Sequence, residues 1–275
     1  MLKLDAIRTR REGRVLFATL DAPPLNLIGP AIVNDLVTLV QHLETDGNDT
    51  SVVVFDSASP DFFSAHVDMT AVPALREKLA RLGAGSGLGT LYLRISSLKQ
   101  VTIASIAGRV RGAGSEFVLA CDMRFASRER ALFGQPENGV GAIPGAGAAQ
   151  HLTRLMGRGR ALEALLGADD FTADLAERYG WVNRALPDAE LSAFVEALAH
   201  RIARFPAEGL ADTKRQVNAI SLPSVEALNE DCRLFLQGVS RPQTQARLKA
   251  LFAAGLQQAA GDAEMHFGGV LGRIG

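Results

Sequence analysis

Two glutamates stand where acid/base chemistry could be done. Glu116 closes the run Ala107-Gly108-Arg109-Val110-Arg111-Gly112-Ala113-Gly114-Ser115, and Glu137 follows Phe133-Gly134-Gln135-Pro136. In the first run, small residues separate a strand from an apolar stretch, Phe117 to Cys121, long enough to begin a helix. Such a turn leaves backbone N–H groups unpaired at a helix N-terminus, where they can receive developing negative charge. It predicts Glu116 on the first helical turn, where an ordinary dipole-favoured glutamate would equally sit. The run is not a dinucleotide fingerprint, because Phe117 stands at the third glycine, and Ser115 is not in a Gly-x-Ser-x-Gly elbow. Around Glu137 the glycines and prolines, through Gly139, Gly141, Pro144, Gly145 and Gly147, mark turns, and Pro136 fixes the backbone just before the carboxylate. Read alone, Glu137 is a loop carboxylate. A third segment, Asp61-Phe62-Phe63-Ser64-Ala65-His66-Val67-Asp68-Met69, sets small residues after an aromatic pair, which suits a backbone approach to a ligand or a plain loop capped by Asp68.

The elements that must position these residues alternate along the chain. Residues 14–20 read as a strand, and 52–55 and 101–106 as buried strands. Between the first two, Ile32, Leu36, Leu39 or Val40, and Leu43 share one helical face, with Pro30 suited to the first turn. Strand, helix, strand at this spacing predicts parallel crossover units in an α/β core. A charged helix over 75–82 and a glycine-rich loop over 83–89 follow. From residue 188 the pattern becomes helical only. Asp188 can cap a helix over 188–206, a second spans 207–220, and a third begins after Ser224. Ser240 and Gln243 read as a capping box around Pro242 that starts a fourth. The expected division is a core over 1–205 and a helical C-terminal oligomerisation region over 206–275, whose apolar residues Leu228, Cys232, Phe235 and Leu236 need a cover.

Composition narrows the partners. Of 275 residues, 47% are hydrophobic and 21% charged, the usage of an ordinary globular chain with a sizeable core. Lys plus Arg number 29 against 30 Asp plus Glu, a net charge of -1, which leaves no excess to neutralise a polyanion, so nucleic acid is not expected. The basic stretch Arg8-Thr9-Arg10-Arg11 ends at Glu12 and reads as a solvated face. Cys121 and Cys232 are far apart, have no metal-ligand spacing, and Cys121 lies in an apolar run as a buried thiol. Without a signal-like N-terminus or an apolar run of spanning length, a cytoplasmic protein with no membrane partner is expected.

The three segments, in this order, resemble the enoyl-CoA hydratase/isomerase (crotonase) family. Its members show a Phe-Ser-Ala-Gly-x-Asp loop, a Gly-Gly-Gly-x-Glu turn, and a Phe-Gly-x-Pro-Glu stretch ending in Ile-Pro-Gly-x-Gly. The similarity runs over about 14–205, includes Pro24-Leu25-Asn26 and Cys121-Asp122, and is strongest from Ala131 to Gly159. The resemblance implies a spiral of strand-strand-helix units, with C-terminal helices packing a homotrimer or a homohexamer. It implies an acyl-CoA thioester substrate, with coenzyme A as part of the substrate and neither a cofactor nor a metal. The thioester carbonyl would be held by the backbone N–H groups of Val67 and Ala113. Glu116 and Glu137 fall on the acid/base positions, and Ala65, His66, Asp68, Gly112, Gly114, Pro136 and Gly141 on the substrate-binding segments. Retention of both glutamates favours hydration of a 2-enoyl-CoA to a 3-hydroxyacyl-CoA. The alternatives on the same scaffold are double-bond isomerisation, another lyase or hydrolase step, or a binding protein that has lost turnover.

Three features depart from the pattern. His66 occupies a position that is usually glycine; it is read as tolerated variation, so His66→Gly is expected to leave the chemistry intact. Arg111 stands where an apolar residue is common and is expected to face solvent or a phosphate. A basic C-terminal segment that often helps bind the nucleotide end of CoA is missing, the chain closing instead on Met265 to Gly275.

Overall fold

A computed structural model describes residues 2–45, 49–80 and 87–274. The chain opens with the hairpin β1 (Ile7–Glu12) and β2 (Val15–Leu20), then α1 (Pro30–Glu44), β3 (Val52–Ser57), β4 (Phe62–Ser64), α2 (Val72–Ala80) and α3 (Leu88–Ser97). Next come β5 (Val101–Ile106), β6 (Arg109–Arg111), α4 (Gly112–Ala120), β7 (Met123–Ser127), β8 (Leu132–Gly134) and α5 (Glu137–Val140). The series continues with α6 (Ala148–Met156), α7 (Arg158–Gly167), β9 (Phe171–Thr172), α8 (Ala173–Tyr179) and β10 (Arg184–Leu186). Helices alone follow: α9 (Asp188–Ala203), α10 (Ala207–Ser221), α11 (Val225–Val239), α12 (Pro242–Ala253), α13 (Asp262–Met265) and α14 (Phe267–Leu271).

A six-stranded sheet runs β1-β2-β3-β5-β7-β10, and a four-stranded sheet runs β4-β6-β8-β9. Except for β1–β2 and β8–β9, which are antiparallel, every pairing is parallel. Each pair β3–β4, β5–β6 and β7–β8 therefore places its first strand in the large sheet and its second in the small one before turning into a helix. That repeat is the expected strand-strand-helix spiral, and it brings the C-terminal ends of β4, β6 and β8 side by side.

The buried strands are mainly apolar because both faces of the large sheet are covered. Val53 and Phe55 point into the main core beside Phe63, Tyr92 and Phe117. Val52 and Val54, one residue out of phase, pack with Ile103 and Phe125 under Leu191, Val195 and Ala199 of α9. A third cluster seats Leu251, Phe267, Val270 and Leu271 against Val140 and Ala168. The C-terminal helices thus cover the chain's own core.

The stretch Arg8–Arg11 is the solvated face expected, now placed on edge strand β1 with Arg8 on Asp21, Arg10 on Glu12 and Arg10 over the Phe17 ring at 4.1 Å. Other local expectations are corrected. Ser240 does not cap α12: it keeps helical angles (φ -79, ψ -9) and donates to Gln237 O, leaving Arg241 as N-cap and Pro242 at the first position. An N-cap needs an extended backbone, which Ser240 lacks. Asp188 is the first helical residue rather than the cap, and α9 ends at Ala203. Of the expected loop at 83–89, residues 83–86 lie outside the described residues, and Leu88 and Gly89 already belong to α3. Residues 81–82 of the expected charged helix lie outside them as well. Among the described residues, no helix is long and apolar enough to cross a membrane.

Candidate active site

Glu116 lies deeper in its helix than the sequence suggests. Helix α4 begins at Gly112, so Glu116 is on its second turn. Three small residues, two of them the poor helix former glycine, start the helix because bulk is excluded there. A methyl on Gly114 would stand 2.7 Å from Ser64 Cβ and 2.8 Å from Ser64 O, and Gly112 has φ +49 with its methyl position 2.9 Å from Glu137 Oε1. Gly114→Ala should therefore lower the unfolding free energy by about 1–3 kcal/mol, the usual cost of overpacking. Equilibrium urea unfolding checks this, and a change below about 0.5 kcal/mol would contradict the packing.

Two neighbouring N–H groups are unpaired within the backbone ladders. Val67 bridges Ile28, but the bonds of that bridge run Ile28 N to His66 O and Asp68 N to Ile28 O, leaving the Val67 N–H outside it. Ala113 is the second residue of α4, among the first four N–H groups that have no intrahelical acceptor. Its carbonyl is fixed by the buried Tyr92 hydroxyl, which donates at 2.9 Å. The loop carrying Val67 is braced by Asn26, whose side chain accepts from Ala22 N and donates to Ser57 Oγ, and by Ser64 Oγ donating to Asn26 O.

Val67, Ala113, Glu116 and Glu137 line one cleft. Its walls are Val72, Leu75 and Leu79 of α2, Leu88 of α3, and Cys232, Phe235 and Leu236 of α11. A second apolar space shares Val67, Ala113, Glu137 and Phe235, and continues to His66, Pro136 and Phe267. The apolar face of α11 is thus covered by its own chain and forms a wall of the site.

The two carboxyl groups differ. Glu116 Oε1 accepts from Ala146 N at 2.7 Å and Ala148 N at 3.1 Å. Burial pushes its pKa up to about 7, the two N–H bonds opposing the rise. Glu137 is raised well above the ordinary carboxyl range by burial and then by the neighbouring Glu116 charge, and its Oε2 has no hydrogen-bond partner. Near neutrality one group can therefore be a base while the other holds a proton.

The remaining residues singled out in the sequence scatter. His66 and Pro136 border the second space, whereas Asp68 borders a separate groove with Pro24, Leu27 and Gln257. Ala65 is buried with Leu25 and Phe62, and Gly141 (φ +107) packs on Thr244, so both support rather than line the cleft. Arg111 faces neither solvent nor a phosphate: it is 1% exposed, and Asp170 takes its guanidinium at 2.6 and 2.7 Å. His66 is also buried, its Nε2 2.8 Å from Glu264 Oε1. Removing that ring would take one of two hydrogen-bond partners from the buried Glu264 Oε1, so His66→Gly would do more than open space. The sequence reading missed Tyr92, the N–H groups of Ala146 and Ala148, and Glu264. The Ile143-Pro144-Gly145 turn signalled the second of these; nothing local signals the others. Among the described residues, no group of three or more His, Cys, Asp or Glu side chains could hold a metal ion.

A parallel strand-strand-helix spiral with paired carboxyls beside two free N–H groups defines a crotonase-type site. The model of the enoyl-CoA hydratase/isomerase family matches residues 10–259. A short-chain-enoyl-CoA hydratase of Clostridium acetobutylicum is 28% identical over 79% of this chain and 82% of its own length. The 2,3-dehydroadipyl-CoA hydratase of Escherichia coli K12 is 31% identical over 82% of this chain and 87% of its own. The crystal structure of a candidate enoyl-CoA hydratase from Streptomyces avermitilis is 53% identical, superposes with a TM-score of 0.97, and covers 100% of this chain and 99% of that one. The chain belongs to the enoyl-CoA hydratase/isomerase family and is an enzyme of its hydratase type.

Proposed function

We propose that this enzyme adds water across the double bond of a 2-enoyl-CoA thioester to give a 3-hydroxyacyl-CoA. The observation that carries the reading is the convergence of two carboxyl groups of unlike proton affinity and two free backbone N–H groups on one apolar cleft. The thioester carbonyl accepts from Val67 and Ala113. Ionised Glu116 draws a proton from water as the oxygen bonds to C3. The electron pair of the double bond moves toward the carbonyl, and the enolate oxygen is held by the two donors. Protonated Glu137 then delivers its proton to C2, and a proton passing from Glu116 to Glu137 resets the pair. No metal or redox group enters this balance. Main-chain donors make the side chains of Val67 and Ala113 free to vary. The aliphatic walls from α2, α3 and α11 suit an apolar acyl chain.

A panel of 2-enoyl-CoA thioesters, followed by loss of the conjugated enoyl absorbance, tests the reading. Turnover of at least one chain length is expected, and none by the whole panel would refute it. Isomerisation on the same site would need a single proton-shuttling base, whereas the hydratase reading uses both buried carboxyls.

The enzyme is further proposed to assemble as a homotrimer or homohexamer. Leu155, Phe205 and Val217 are 41%, 41% and 57% exposed and line one groove of the surface. Mass measurement in solution at micromolar concentration should return three or six chains. A stable monomer would rule the assembly out.

A further inference from the structure

The segment from Gln257 to Phe267 belongs to no motif, yet it touches a residue shortly before each proposed oxyanion donor. Glu264, fully buried, directs Oε1 to His66 Nε2 at 2.8 Å and also accepts Gln257 N at 2.6 Å. Its main-chain oxygen accepts from Arg111 Nη1 at 2.8 Å. His66 immediately precedes Val67, and Arg111 stands two positions before Ala113. One residue is therefore bonded to both loops, by its side chain to the first and by its carbonyl to the second.

The His66 ring is an exacting link. Nδ1 lies 2.6 Å from Val67 O, the carbonyl of the donor residue itself, while Nε2 meets the Glu264 carboxylate. Both contacts are with oxygen acceptors, so both ring nitrogens donate only when the ring is an imidazolium. The Glu264 carboxylate faces Nε2, and with side chains 6% and 0% exposed the pair is shielded from solvent. Phe267 covers it, with its ring centroid 5.7 Å from His66 and 5.9 Å from the Arg111 guanidinium. The other strands of the contact run alongside: Gln257 accepts from Met69 N and donates to Asp68, and Arg109 donates to Met265 O. Asp170 completes the Arg111 end through its two-point pairing.

The geometry points to Glu264 as a positioning residue that sets the Val67 and Ala113 N–H groups relative to each other, acting through His66 and Arg111. The inference rests on the hydratase reading, in which those donors stabilise the enolate. Charge-stabilising donors act mainly in the transition state, so misplacing them lowers kcat more than it raises KM. Glu264→Ala removes the carboxylate. Glu264→Gln keeps its size and one acceptor oxygen but removes the carboxylate charge that faces the ring.

The test compares wild type, Glu264→Ala, Glu264→Gln, His66→Ala and the double variant His66→Ala/Glu264→Ala on the preferred enoyl-CoA, with rates normalised to folded enzyme. Glu264→Ala is expected to lose about tenfold to a hundredfold in kcat with KM within about threefold, Glu264→Gln to fall between it and wild type, and the double variant to be no slower than the slower single. A packing role alone would lower the folded fraction and leave kcat per folded molecule within about twofold. That outcome, or losses that multiply in the double variant, would overturn the proposal. Where alanine prevents folding, Glu264→Gln carries the comparison. Backbone amide exchange at Ile28 and Asp68, whose N–H groups form the bonds on either side of Val67, reads the clamp without turnover. Exchange about tenfold faster in Glu264→Gln supports it, and unchanged exchange overturns it. Should the wild type turn over no thioester, the hydratase reading fails, and the exchange rates still decide whether Glu264 holds the Val67 loop.

Discussion

Glu116→Gln should slow hydration by roughly a hundredfold or more, the scale for loss of a positioned base. The amide keeps the shape of the side chain, and its oxygen can still accept from Ala146 and Ala148, so the fold should survive. The pH profile carries the sharper signature. Hydration needs Glu116 ionised, and its pKa is pushed up to about 7, so the wild-type rate should fall as pH drops below that value. The acid limb should disappear in Glu116→Gln. Glu137 is raised well above the ordinary range, and its protonated form donates to C2, so an alkaline fall belongs to this residue and should vanish in Glu137→Gln, which is slowed comparably. Rates measured from pH 5.5 to 9 as kcat/KM would check both, with the limbs treated as properties of the pair. Near-wild-type activity in Glu116→Gln would replace hydration by a one-base isomerisation.

Arg111→Ala should cost about 3–5 kcal/mol of stability, the scale for breaking one side of a buried ion pair. The guanidinium is 1% exposed and makes three hydrogen bonds, two to Asp170 and one to Glu264 O. Truncation leaves the Asp170 carboxylate, 17% exposed, without its cation, and opens a void under Phe267. Arg111→Lys should recover little, because an ammonium cannot reproduce the two-point contact with a carboxylate. Urea unfolding of the three proteins under matched conditions measures the difference. A loss below about 1 kcal/mol for alanine would mean that the network contributes no more than a surface pair.

These residues also show what a sequence makes readable. The apolar runs at Val52 and Val101 declare buried strands because both sheet faces are covered, and the face Ile32, Leu36, Leu39 and Leu43 declares α1. The two glutamates are legible because each sits among small residues and turn formers that local backbone geometry demands. Arg111 and His66 are not, because what decides their state lies far along the chain: Asp170 is 59 positions from Arg111 and Glu264 is 198 from His66. A buried ion pair leaves no periodicity in either segment. The start of α4 was misplaced for a related reason. Glycines at Gly112 and Gly114 argue against a helix locally, while contact with Ser64 and Glu137 requires them there. Helix α11 was correctly read as amphipathic, but its cover is α3 and the site cleft, which no local pattern reveals.

The most direct test of the account is the product formed from a 2-enoyl-CoA in heavy water. Hydration across one double bond predicts a 3-hydroxyacyl-CoA that has gained one water and carries solvent deuterium at C2. Wild type should form it, and Glu137→Gln should form it far more slowly with the same labelling. A product of unchanged formula, with the double bond moved and no oxygen gained, would contradict the account.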